Sequence, residues 1–196
     1  MDDGAAKAEL QRYLQEGRAA LVWKLEGLSE YDKRRPLVPT ATNLLGLVKH
    51  LALVELGYLG DAFGRPFSGW KPHGSTSEDP NGDMYAAQDE SSDQLLQFYR
   101  AVWAHSDTTI GQLPLDTPGK VPWWPAERNT ATLHHLVVRV IADTHAHAGH
   151  ADIVRELIDG SVGWRRDADN LPSSDREWWE SYRRRLEGIA RRVRDG

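Results

Sequence analysis

Residues 130–160, TATLHHLVVRVIADTHAHAGHADIVRELIDG, decide the fold. Leu136, Val140, Asp143, His147, His150, Val154 and Leu157 recur at intervals of three and four, which is the period of one face of an α-helix. The run is long for a strand, and Gly160 follows it where a left-handed cap would end a helix. Three ionisable residues therefore interrupt an otherwise apolar stripe. Asp143 and His147, four residues apart, stand one helical turn apart, ~6 Å along the axis, so their side chains can converge on one point. His150 continues the stripe. His145 is rotated away from it, because each helical residue advances by about 100°.

Reading outward, Leu10, Leu14, Leu21, Leu25 and Leu28 predict an amphipathic helix over roughly residues 5 to 28, broken by Arg35-Pro36-Leu37-Val38-Pro39. A second helix is predicted from Thr42 or Asn43 to near Gly64, with Leu44, Leu47, His50, Leu51, Val54 and Tyr58 along it. Residues 66–90 are rich in Gly, Pro, Ser, Asp and Asn, and a connection of that length either carries function or is disordered. Ser91 and Gln94 form a capping box before a third stripe of Leu95, Phe98, Val102, Ser106, Thr109 and Leu113. Pro114, Pro118, Pro122 and Pro125 stiffen the next connection around Trp123-Trp124. Ser174 and Glu177 make another capping box and open a last helix, expected to turn Trp178, Tyr182, Leu186, Ile189 and Val193 inward. No strand pattern competes anywhere. The expectation is an all-α, single-domain chain over residues 1–196, a four-helix bundle with long crossover connections and an additional C-terminal helix.

Composition narrows the function. A net charge of -5 gives no basic surface for a nucleic-acid backbone. Arg183, Arg184, Arg185, Arg191, Arg192 and Arg194 crowd the C-terminal segment, but Glu177, Glu180 and Glu187 interleave with them, as on a solvated helix face. No apolar run approaches the ~20 residues that span a bilayer, and Met1-Asp2-Asp3-Gly4 does not resemble a secretory leader. A cytoplasmic protein without nucleic-acid or membrane partners is expected. With no cysteine, disulfides and thiolate ligands are excluded, and any thiol chemistry must use a thiol brought by a substrate. For Tyr58, Trp123 and Trp124 ordinary core packing is the favoured reading, with a place in the wall of a pocket as the alternative.

The third ligand for an ion at Asp143 and His147 must come from another helix, and His50, on the apolar face of the second, is the obvious supplier. Taken singly, His50 reads as a hydrogen-bonded core histidine, and the Asp143 and His147 pair reads as a side-chain hydrogen bond. Together they put a metal site on an equal footing with those readings, because a carboxylate buried without a compensating charge costs several kcal/mol and a metal supplies that charge.

The segments Leu44-Leu45-Gly46-Leu47-Val48-Lys49-His50-Leu51, Asp143 to Asp152 and Asp159-Gly160 resemble the DinB-like metalloenzyme superfamily. Pro122-Trp123-Trp124, Asn170-Leu171-Pro172, Asp175, Trp178-Trp179, Tyr182 and Arg183 extend the likeness, which is greatest to an actinobacterial branch related to mycothiol-dependent enzymes. The resemblance implies a divalent metal on His50, Asp143 and His147, with His150 as an alternative or supporting ligand. Asp143 departs from the branch, which has the longer glutamate at that place. Two imidazoles and a carboxylate suit zinc, with nickel or iron as alternatives. The implied activity is a metal-dependent transferase or isomerase that uses a low-molecular-weight thiol such as mycothiol on a small electrophile. A water-activating hydrolase and a non-catalytic metal-binding or small-molecule-binding protein are the alternatives, and a homodimer is compatible with each.

Overall fold

A computed structural model describes residues 3–194 of the chain. Four long helices make the bundle: α1 (Asp3–Trp23), α3 (Leu44–Leu59), α4 (Ser92–Gln112) and α5 (Leu133–Asp159). Helix α2 (Glu30–Arg34) is a short insertion, and α6 (Arg176–Arg194) follows the bundle. Round the bundle, α5 packs on α1 and α3, and α4 packs on α3 and α1. The links from α1 to α3 and from α4 to α5 therefore run diagonally, which is why both are longer than hairpin turns. The all-α expectation with long crossovers holds.

The helix ends follow local chemistry. Asn43, Ser91 and Thr132 each accept a backbone N–H of the first turn at α3, α4 and α5, a contribution of about 1 kcal/mol each. Gln94 completes the capping box at Ser91, and Gly160 ends α5 at φ 80°. Two apolar clusters fill the bundle, one around Leu45, Leu51, Phe98 and Val102, the other around Leu14, Leu59, Leu136 and Val140. Arg18 of α1 crosses to Glu55 of α3 (Nε to Oε2 3.1 Å), and both are fully buried.

Four expectations need correction. Helix α1 stops at Trp23 rather than near residue 28, yet Leu25 stays buried because the chain after the helix still follows the core. A small antiparallel pair exists: β1 (Pro118–Lys120) against β2 (Thr130–Thr132). Three-residue strands are too short to show an alternating pattern. The buried face of α5 is Leu136, Val137, Val140, Thr144, Ala148, Ala151 and Val154, so the helix is rotated from its sequence stripe and Leu157 is exposed. Finally, Trp178, Leu186, Ile189 and Val193 of α6 are exposed rather than turned into the core, with Val193 at 78%. An amphipathic stripe identifies a helix, but it does not say what the stripe docks against. Among the described residues, no helix is long and apolar enough to cross a membrane.

The long segment between α3 and α4 is fastened down. Glu90, almost wholly buried, receives Lys49 Nζ (2.9 Å) and the backbone N–H groups of His73 and Ala87 (2.7 Å each). Arg34 donates to the carbonyls of Ala86, Ala87 and Glu90. At Gly46 a Cβ would lie 1.8 Å from the Met84 carbonyl oxygen, so only glycine lets this loop lie directly on α3. The Asn43 amide that caps α3 also donates to the Met84 carbonyl (3.2 Å).

Candidate metal centre

Rotation of α5 puts Asp143 and His147 at the edge of its buried face, opposite α3. His50 projects from α3 into the same space. Each of the three offers one donor atom, and these atoms lie within 4.8 Å of one another. His50 Nε2 is 3.9 Å from one Asp143 oxygen, and His147 Nε2 is 3.6 Å from the other. The two rings meet edge to face with centroids 4.8 Å apart. Tetrahedral zinc with ligands at ~2.1 Å separates its donors by ~3.4 Å, so small side-chain rotations would bring this set to an ion. The donor types fit a divalent cation: two imidazoles and one carboxylate, all partly buried.

His50 is held from behind by a residue that sequence reasoning missed. Asp83, in the long loop, lies 2.6 Å from His50 Nδ1, and its other oxygen accepts the Ser75 hydroxyl at 2.6 Å. Burial pushes the Asp83 carboxyl up, but the Ser75 and His50 hydrogen bonds outweigh it and hold the group below the usual carboxylate range. The ionised carboxylate accepts a hydrogen bond from the Nδ1 side of the ring, which orients Nε2 towards Asp143 and His147. Burial first, and then repulsion from His50, lower the His147 pKa, so this ring is neutral at pH 7 as a ligand must be. The only sequence signal for Asp83 was its place in a loop too long to be idle.

The remaining histidines separate clearly. His150 is exposed and lies outside the three-residue group, its Nδ1 3.3 Å from His147 Nδ1. His145 faces α1, where its Nε2 meets the Tyr13 carbonyl at 2.9 Å and its ring stacks on Trp164.

A groove of about 1000 Å³ opens beside the cluster, lined by His50, Val54, Tyr58, His135, Arg139 and Asp143 among others. Tyr58 does both things weighed for it: it is buried in the core and also contributes to the wall. Trp123 and Trp124 stand against Tyr58 and direct their indole N–H groups to its hydroxyl at 3.5 and 3.3 Å. Gly57 makes room for Trp123, whose ring a Cβ there would meet at 2.8 Å. The groove is open, so a bound ion would keep positions that exogenous molecules can reach.

A family model described as Mycothiol-S-transferase matches residues 9–160. That span holds the bundle, the Asp83 loop and the cluster, and leaves out α6. No curated protein matches the chain significantly.

Proposed function

The chain belongs to the mycothiol-S-transferase family, and from that premise we propose that it is a metal-dependent S-transferase joining a low-molecular-weight thiol, mycothiol or a close relative, to a small electrophile. Family membership implies the thiol partner. The observation that carries the metal dependence is the convergence of His50, Asp143 and His147 beside an open groove.

His50, Asp143 and His147 would hold the ion, with zinc preferred for this donor set. When bound, the ion lowers the pKa of the incoming thiol so that it reacts as a thiolate at neutral pH. Asp143 contributes the one negative charge among the ligands. Asp83 and Ser75 fix the His50 ring, and His150 lies beside His147. Tyr58, backed by Trp123 and Trp124, walls the groove in which the two substrates meet. In the transfer the thiol loses its proton, a carbon–sulfur bond forms, and the electrophile releases its leaving group. The chain supplies no sulfur of its own, since it has no cysteine.

The test is a thiol-dependence assay on zinc-loaded protein with 1-chloro-2,4-dinitrobenzene, followed as the thioether absorbance. The expected result is turnover with mycothiol and none above background without thiol or after chelation. Thiol-independent consumption of ester substrates, with no thiol transfer, would instead establish the hydrolase reading.

A further inference from the structure

The groove beside the metal cluster carries a charge that the ion does not explain. Among its lining residues the acidic and basic groups, the Tyr58 phenol aside, are His50, His134, His135, Arg139 and Asp143. A single carboxylate therefore faces an arginine and three imidazoles, in a chain of net charge -5. That carboxylate is turned towards His50 and His147.

Arg139 precedes Asp143 by four residues on α5, one helical turn or ~6 Å along the axis. Its guanidinium carbon lies 5.2 Å from the Tyr58 ring centroid and 5.4 Å from that of Trp124. The two rings hold the group near the groove wall by cation–π attraction, while Arg139 itself is exposed and its N–H donors remain available. Among the described residues no carboxylate or carbonyl takes those donors, whereas Arg18, Arg34 and Arg155 are each tied to an acidic side chain. A planar fork of donors at the wall of this groove matches a carboxylate in bidentate geometry.

We propose that Arg139 is a specificity-determining residue that binds a carboxylate on the electrophilic co-substrate, about one helical turn from the reacting atom. This rests on the transferase reading, but the anion subsite can be measured without it. The substrate class is then a small electrophile carrying a carboxylate a few bonds from the carbon that receives sulfur. Arg139 selects and orients this molecule, and the metal ligands act at its other end.

The first arm uses metal-free protein and benzoate, titrated by calorimetry and by tryptophan emission, with benzyl alcohol as the uncharged control. Arg139→Gln should weaken benzoate binding at least tenfold, as loss of a charge-assisted hydrogen-bond pair requires, and Arg139→Lys should fall between. Benzyl alcohol should not distinguish the variants. The second arm compares 4-chloro-3-nitrobenzoate with its methyl ester as electrophiles in the thiol assay. Arg139→Gln should raise KM for the acid about tenfold with kcat little changed, and leave the ester alone. Equal benzoate affinity in wild type and Arg139→Gln, with far-UV dichroism showing both folded, would overturn the proposal. Benzoate binding through Arg139 without any thiol transfer would leave the subsite standing and remove the transferase reading. Turnover of both electrophiles insensitive to Arg139 would remove the subsite alone.

Discussion

Replacing Asp83 with alanine tests how the loop serves the cluster. The side chain is mostly sheltered, with 20% of its surface exposed, and its 2.6 Å contact to His50 Nδ1 is a charge-assisted hydrogen bond. Its removal leaves an unpaired N–H, lets the imidazole adopt either tautomer and frees the ring to rotate away from Asp143 and His147. Outer partners of metal-bound histidines contribute about 10- to 100-fold in affinity, which is ~1.4 to 2.7 kcal/mol. Asp83→Ala should weaken zinc binding within that range. Asp83→Asn should lose less, because the amide oxygen still accepts from Nδ1. Ser75→Ala should cost less than either, and the double variant should show less than the sum, since Ser75 acts through Asp83. The assay is a competition titration of metal-free protein against a zinc-chelating dye, with urea unfolding to show that the bundle persists. Zinc affinity in Asp83→Ala within twofold of wild type would refute the reasoning, because the carboxylate would then have no hold on the ligand.

Asp143→Asn removes the only negative charge among the three proposed ligands and should reduce zinc affinity by more than 100-fold, beyond the outer-partner range; Asp143→Glu should bind as tightly as wild type or more so. Both are read in the same dye titration. Arg18→Met should destabilise the protein by about 3 to 5 kcal/mol in urea, because it leaves Glu55 fully buried without its partner; burial already pushes that carboxyl up. For His147 the folded pKa is depressed, so the unfolded chain takes the proton first. Metal-free protein should hold this contribution above the unfolded value of about 6.5 and lose it as the pH falls through the lower folded value. The urea midpoint measured from pH 7.5 to pH 5 should show this decline, and His147→Gln should flatten it.

Residues 130–160 were enough to establish α5 and to pair Asp143 with His147, because spacing by four on one helix is a local property that no tertiary contact can undo. The capping signals at Ser91 and Gly160 were legible for the same reason, each being satisfied within a few residues along the chain, whereas at α6 the Glu177 N–H goes to Asp175 rather than to the expected Ser174. His50 was legible as an interruption of an apolar face. That it meets Asp143 and His147 depended on α3 packing against α5, a contact between segments some ninety residues apart, and the motif resemblance anticipated it where periodicity could not. The rotation of α5 was hidden because that helix is apolar on more than one side, so its pattern fixed the element but not its buried face. The α6 stripe specified a helix without specifying a neighbour. Asp83 stayed invisible because it lies in a segment without periodicity, and its approach to His50 depends on Gly46 letting the Met84 carbonyl lie on α3. Helices and their caps are encoded by short-range backbone hydrogen bonding and side-chain spacing, whereas the partner of His50 is set by the three-dimensional path of a loop, which only packing determines.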